Sequence, residues 1–217
     1  RLSPQWTFQT SNLTRGRGFE TTPLVLDGVL YVTGSNNYAW ALDARTGRRF
    51  WQYRRNLPND LTYGASAPVN RWFGMLGDRL FMVTLDAHLL ALDRKTGGVL
   101  WEIELADYRV GYAATLAPLV IDGKVIVGIS GGEYPTRGFL DAYDPENGER
   151  IWRFNTIPGP GEPGSETWPP DAENLARGGG GTWMTGSYDP DLDLLYWGTG
   201  NPNPDYYDET REGANLY

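Results

Sequence analysis

Cysteine and histidine are almost missing from the sequence, and their scarcity excludes several kinds of site. None of the 217 residues is cysteine, and one is histidine. The chain itself therefore has no disulfide, no zinc–cysteine site, no thiol nucleophile and no covalently attached c-type haem. A metal site with several histidine ligands is excluded as well.

Basic runs and long apolar stretches are also lacking. The 27 acidic residues outnumber the 19 basic ones, and the formal charge of -8 makes nucleic acid and anionic membranes poor partners. No apolar stretch approaches the roughly 20 residues of a membrane-spanning helix. The first residues lack the basic, apolar and small-residue regions of a signal peptide, which fits a cytosolic protein or a mature or truncated chain.

The sequence contains an internal repeat instead. The pattern Ala-x-Asp-x-x-Thr/Asn-Gly-x-x-x-Trp occurs three times, and its tryptophans, Trp51, Trp101 and Trp152, lie 50 and then 51 residues apart. Upstream of each copy, two short apolar runs are joined by an acidic residue next to a glycine, which is typical of a β-hairpin turn. The three joints are Asp27-Gly28, Gly77-Asp78 and Asp122-Gly123.

Each repeat predicts four short strands. A period of about 50 residues without helical periodicity is typical of a propeller blade. The predicted fold is therefore all-β, a β-propeller of four-stranded antiparallel blades. One partial propeller domain covers residues 1–217, with repeats at roughly 20–51, 67–101, 115–152 and an incomplete 181–217. The repeated Asp and Trp residues are interpreted as structural, with Asp capping a turn and Trp packing between neighbouring blades.

These repeats resemble the tryptophan-docking motifs of the pyrroloquinoline quinone (PQQ)-dependent alcohol dehydrogenases, the methanol and ethanol dehydrogenase family. The resemblance covers essentially the whole chain and extends to three segments between the repeats, at 130–138, 178–183 and 198–202. It implies an eight-bladed parent that oxidises a small alcohol with PQQ and calcium or a lanthanide. It also implies a periplasmic location and a c-type cytochrome or haem domain as electron acceptor.

The same resemblance implies particular site residues. Glu133 and Asn201 match the family's metal ligands, and a carboxylate with an amide carbonyl suits a hard cation. Trp183 matches the tryptophan that stacks against the quinone, and the preceding glycines allow close backbone approach. The remaining cofactor-binding residues implied by the resemblance are Arg71, Glu20, Thr115, Ser130, Gly131 and Gly132.

Structural alternatives stay open for these residues. Glu133 could form a salt bridge with Arg137, and Asn201 before Pro202 could be a turn residue. Trp183 could be a further structural tryptophan. Arg71 could pair with a surface carboxylate, and Thr115 and Ser130 could be ordinary strand residues. The glycine run opens no helix and lacks the Gly-Lys-Ser/Thr of a phosphate loop.

The sequence also departs from the family. Ala65-Ser66 stands where members commonly have two adjacent cysteines, and Gly181 stands where a threonine is frequent. The family's catalytic aspartate falls beyond Tyr217, so no catalytic residue is assigned and the 217-residue chain alone is expected to be inactive. Open blade faces would favour self-association. Two other functions remain: a non-catalytic propeller scaffold that binds proteins, as in outer-membrane assembly lipoproteins, and a quinoprotein-like domain with a decayed site.

Overall fold

The fold is built almost entirely from β-strands. The computed structural model describes residues 2–10, 19–61, 68–169, 178–207, 209 and 211–215. Within these residues the regular elements are strands and three single-turn 3-10 helices. No helix in this part of the chain is long and apolar enough to cross a membrane.

The strands form antiparallel sheets in chain order. The first three sheets have four strands each, and the fourth has two. This arrangement confirms the predicted fold class of four-stranded antiparallel propeller blades. The strands are β1 Leu24–Leu26, β2 Val29–Gly34, β3 Tyr38–Asp43 and β4 Arg49–Arg54, then β5 Gly74–Leu76, β6 Arg79–Val83, β7 His88–Asp93 and β8 Val99–Glu104, then β9 Leu119–Ile121, β10 Lys124–Gly128, β11 Phe139–Tyr143 and β12 Arg150–Asn155, and finally β13 Ser187–Asp189 and β14 Leu194–Tyr196.

The hairpin turns have the backbone that their sequence predicts. Leu26 pairs with Val29, which leaves Asp27 and Gly28 as a two-residue loop. Both loop residues have positive φ, 51° for Asp27 and 75° for Gly28. Two-residue hairpins with positive φ at both positions match the right-handed twist of the strands, which explains why Asp-Gly recurs here.

Apolar side chains on alternate faces of a strand pack against the two neighbouring sheets. In β6, Leu80 and Met82 belong to the apolar cluster shared with the first sheet. Phe81 and Val83 belong to the cluster shared with the third sheet. All four side chains are buried, because successive residues of a strand point to opposite faces and both faces are covered. The second sheet thus packs between the first and the third sheet.

The repeated tryptophans connect consecutive sheets. The indole Nε1 of Trp51 donates to the carbonyl of Arg94 in the next sheet, at 2.9 Å. The Trp51 ring covers Gly97, where an added Cβ would lie 2.7 Å from ring atoms. Trp101 donates in the same way to the carbonyl of Pro145 in the third sheet, at 3.1 Å. The glycine of the repeat is therefore required both for its turn and for the neighbouring ring.

Trp6 makes the same kind of contact, although Arg1-Leu2 stands where the repeat has Thr-Gly before its tryptophan. Its Nε1 donates to the carbonyl of Ala44 at 3.1 Å. A Cβ at Gly47 would lie 2.5 Å from the Trp6 ring. Trp6 thus packs on the first sheet as Trp51 packs on the second.

Candidate functional site

A pocket of about 450 Å³ lies where loops from several sheets meet. Its volume falls within the roughly 300–1,000 Å³ that is usual for small-molecule sites. The structure brings all nine residues of the predicted site to this pocket, and the roles of these residues remain predictions. The lining residues are Glu20, Arg71, Thr115, Ser130, Gly131, Gly132, Glu133, Trp183 and Asn201, joined by Val69, Gly181, Gly200 and Asp205.

Buried hydroxyl groups form one wall of the pocket. Ser130 lies two residues after the end of β10 and exchanges backbone hydrogen bonds with Ala113 at 2.7 and 3.2 Å. The hydroxyl of Thr115 lies 3.2 Å from the hydroxyl of Ser130. Both residues are buried, so these polar side chains have low freedom of movement and present fixed groups to the pocket.

Arg71 is held in place from two sides. Its Nη1 donates to the Thr115 hydroxyl at 2.7 Å. Its Nη2 forms an ion pair with the Glu20 carboxylate at 2.9 Å. Burial lowers the pKa of the Arg71 guanidinium, and the Glu20 charge opposes this shift. The alternative in which Arg71 pairs with a carboxylate is therefore observed, and the carboxylate is itself part of the pocket.

Trp183 presents an accessible ring rather than a core side chain. Its exposed fraction is 43%, whereas Trp40 in the first sheet is 1% exposed. The Arg71 guanidinium carbon lies 4.9 Å from the centroid of the Trp183 ring, within cation–π range. Trp183 lines the pocket with this accessible ring, and its role in stacking against a cofactor stays a prediction.

The glycine run Gly178–Gly181, here called the glycine ribbon, is hydrogen-bonded along both of its edges. On one edge, Gly138 N donates to Gly179 O at 2.7 Å, and Gly179 N donates to Thr136 O at 2.9 Å. On the other edge, Gly180 N donates to Asn201 O at 2.9 Å, and Gly200 N donates to Gly181 O at 2.7 Å. The ribbon therefore joins the loop of Glu133 to the loop of Asn201.

Close packing explains why the ribbon is glycine. Gly179 and Gly180 have positive φ values of 74° and 65°. A Cβ on Gly179 would lie 2.7 Å from Asn201 O, and one on Gly138 would lie 2.0 Å from Gly180 O. Side chains at these positions would push apart the two loops that carry the predicted metal ligands.

Glu133, Asn201 and Asp205 bring side-chain oxygens to the pocket. In the described part of the chain, none of the three side chains has a hydrogen bond or ion pair. Arg137, the alternative partner of Glu133, pairs instead with Glu162 at 2.9 Å. Among the described residues, no group of three or more His, Cys, Asp or Glu side chains lies close enough together to hold a metal ion. Two carboxylates and one amide are thus available as oxygen donors.

Asp205 was not predicted from the sequence. It follows the predicted ligand Asn201 by four residues, and this short spacing between an acidic residue and a candidate ligand is the signal that could have identified it. Ala65 and Ser66, which stand where the family commonly has two adjacent cysteines, lie outside the described residues. Gly181, which stands where a threonine is frequent, lines the pocket.

Comparison of the sequence with known proteins finds matches to one enzyme family. The family described as PQQ glucose/ethanol/alcohol dehydrogenase, β-propeller domain, matches residues 1–217. The chain is 39% identical to the quinoprotein alcohol dehydrogenase PedH of Pseudomonas putida, in an alignment covering 100% of this chain and 38% of PedH.

Solved structures agree with the sequence comparison. The quinohemoprotein alcohol dehydrogenase of Comamonas testosteroni superposes with a TM-score of 0.85 at 35% identity, over 93% of this chain and 32% of that one. A europium-containing methanol dehydrogenase gives a TM-score of 0.84 at 35% identity, over 94% of this chain and 39% of that one. The chain thus spans 32–39% of the length of these relatives.

Proposed function

Since the chain belongs to the β-propeller domain family of PQQ-dependent glucose, ethanol and alcohol dehydrogenases, we propose that it supplies one side of a quinone and metal site in an alcohol-oxidising enzyme. The observation that carries this proposal is the single pocket lined by all nine predicted residues. A protein-binding scaffold does not require a carboxylate, an amide and an accessible aromatic ring in one cavity, so the pocket favours the enzyme over the scaffold.

The residues on one side of the pocket fit a flat, carboxylate-bearing quinone. Trp183 offers an accessible aromatic face for stacking. The guanidinium of Arg71 is fixed by Thr115 and Glu20, which suits it to a carboxylate or carbonyl oxygen. Since the hydroxyls of Thr115 and Ser130 are already in place, little ordering is needed when a ligand binds.

Glu133 and Asn201, which line the same pocket, fit a hard cation. Calcium takes about six to eight oxygen ligands, and Glu133 and Asn201 are the two that we propose from this chain. Water and the cofactor's own oxygens would complete the shell. Calcium and a lanthanide both suit such donors, and one solved relative is named as containing europium.

The chain's own residues bind and orient rather than transfer protons. When both groups are bound, the quinone supplies the two-electron acceptor for the alcohol, and the cation supplies the Lewis acid that polarises a quinone carbonyl. Trp183 and Arg71 would hold the quinone, and Glu133 and Asn201 would hold the cation. We assign no general base within this chain.

The wider setting is carried over from the relatives as part of the proposal. The full-length protein would be an eight-bladed periplasmic enzyme for a small alcohol. A relative named as a quinohemoprotein supports a haem domain or c-type cytochrome as the electron acceptor. Exposed apolar residues on the outer strand β12, Ile151 and Phe154 among them, remain candidates for self-association.

Titration of the full-length protein with PQQ and calcium or a lanthanide tests the proposal. The expected results are a shifted quinone absorbance and dye-linked oxidation of a primary alcohol. Trp183→Ala should weaken quinone binding by about tenfold, because it removes the stacking surface. Tyr206→Ala is the matched control, since Tyr206 is 99% exposed and lines no part of the pocket. Absence of quinone binding at micromolar concentrations with either cation would favour the scaffold or a decayed site.

A further inference from the structure

Asn203 lies outside the pocket but contacts the loop of Glu133 directly. Its Nδ2 donates to the carbonyl of Gly132 at 3.2 Å. The same nitrogen donates to the carbonyl of Tyr134 at 3.3 Å. These two carbonyls belong to the residues on either side of Glu133. A single amide group therefore holds the backbone on both sides of a predicted metal ligand.

The backbone of Asn203 is anchored as well. Its N–H donates to the carbonyl of Gly178 in the glycine ribbon at 2.9 Å. Asn201, the other predicted metal ligand, lies two residues earlier and accepts from the ribbon at Gly180. The backbone of Asn203, in the loop of Asn201, is thus bonded to the glycine ribbon, and its side chain is bonded to the loop of Glu133.

The loop of Glu133 keeps its own shape through internal bonds, but these bonds do not set its distance from Asn201. Tyr134 N donates to Gly131 O at 2.9 Å. The Thr136 hydroxyl also donates to Gly131 O, at 2.7 Å. Among the described residues, the hydrogen bonds that pass directly between the loop at 131–138 and the loop at 200–205 are the two from Asn203.

We propose that Asn203 is a positioning residue that sets the separation of Glu133 and Asn201, so that both oxygens reach one cation. The inference rests on the proposed function. The side-chain amide nitrogen carries two N–H groups and can therefore donate to both carbonyls at once. An aspartate of the same shape has no N–H to donate and places negative charge against both carbonyls. Partners that orient metal ligands in this way typically affect metal affinity by about 10–100-fold when they are changed.

Terbium titration of the full-length protein tests the inference without relying on turnover. Terbium is a hard trivalent cation, and Trp183 in the same pocket can sensitise its luminescence. Asn203→Ala and Asn203→Asp should each weaken terbium binding by about tenfold or more, with Asn203→Asp the weaker binder or the equal of Asn203→Ala. Excess calcium should compete with terbium in every variant that binds it.

A matched control separates positioning from general destabilisation. Asn147→Ala removes an exposed asparagine whose Oδ1 accepts from Glu149 N at 2.8 Å in a distant turn, and it should leave terbium affinity unchanged. Thermal unfolding midpoints of all variants show whether the fold is kept. If Asn203→Asp does not fold, Asn203→Ala and Asn203→Ser carry the test.

The outcomes distinguish the two proposals. If Glu133→Gln weakens terbium binding while folded Asn203 variants bind as tightly as the parent, the positioning role is wrong and the metal site stands. If the parent binds neither terbium nor calcium, the proposed metal site and the positioning role are both wrong. Weaker terbium binding that still saturates at higher terbium concentration, in Asn203 variants that keep the parent's unfolding midpoint, supports the inference, because the site is then present but holds its cation less tightly.

Discussion

Gly138→Ala should push the glycine ribbon away from the loop of Glu133. The new Cβ would lie 2.0 Å from Gly180 O and 2.4 Å from the Thr156 hydroxyl oxygen, where real Cβ contacts under 3.0 Å are essentially absent. Neither neighbour yields easily. Gly180 O is backbone, and the Thr156 hydroxyl donates to it at 2.6 Å. The ribbon must therefore move by roughly 1 Å for the methyl group to fit.

The size of the effect follows from this displacement. Overpacking of a well-packed site costs about 1–3 kcal/mol. Moving the ribbon also breaks or lengthens the bond from Gly138 N to Gly179 O, which is 2.7 Å long. A buried hydrogen bond contributes about 1 kcal/mol net. We expect the free energy of unfolding to fall by about 2–4 kcal/mol and cation affinity to fall with it.

Denaturant unfolding of the full-length protein measures the first quantity, and terbium titration measures the second. Gly198→Ala is the control, because a Cβ there meets nothing within 4 Å and the residue has no positive φ. Its free energy of unfolding should stay within about 0.5 kcal/mol of the parent. If Gly138→Ala unfolds at the parent's midpoint and binds terbium as tightly, the close approach of ribbon and loop is not required, and the reasoning fails.

Three further predictions follow. Trp51→Phe keeps an apolar ring but loses the bond to the Arg94 carbonyl, so urea titration should show a loss of about 1–2 kcal/mol; equal stability would contradict a role for the indole N–H. Burial raises the pKa of Asp86, but hydrogen bonds, chiefly from Arg55, outweigh burial and hold the pKa below its usual value. The ionised form of Asp86 therefore stabilises the fold above about pH 4, and the free energy of unfolding should fall as the pH drops through the folded pKa. Asp86→Asn should make the free energy of unfolding less dependent on pH in this acid range. An unchanged pH dependence would refute the role of Asp86. Asp205→Asn should weaken cation binding about three- to tenfold in a terbium titration, because it neutralises one of the two pocket carboxylates that have no ion pair among the described residues; unchanged affinity would place Asp205 too far from the cation.

The strands could be predicted from the sequence because their turns are local. Asp27-Gly28 and Asp122-Gly123 specify positive φ at adjacent positions, and the structure has positive φ at all four residues. Trp6 could not be predicted in this way. Arg1-Leu2 stands where the repeat has Thr-Gly before its tryptophan, and the contact of Trp6 with Ala44 joins residues 38 positions apart.

In the candidate site too, some residues could be predicted from local sequence, and others depend on contacts between distant parts of the chain. The resemblance pointed to Glu133 and Asn201 because each lies in a segment that can be matched on its own. Asn203 and Asp205 lie beside Asn201, but their importance depends on which loop faces them. That relation is three-dimensional, since Asn203 meets Gly132 across 71 positions of sequence. A single sequence does not show such a pairing.

The glycine ribbon explains why the two predicted metal ligands line one pocket although they come from different sheets. Glu133 lies between β10 and β11 of the third sheet, and Asn201 follows β14 of the fourth. Neither loop is positioned by its own sheet alone, because the ribbon supplies backbone partners to both. The fourth sheet packs on the third through Leu195 and Trp197, and the ribbon spans the same joint. A hard cation that draws Glu133 and Asn201 together would therefore stabilise this joint, because a ligand that binds only the packed arrangement favours it by mass action.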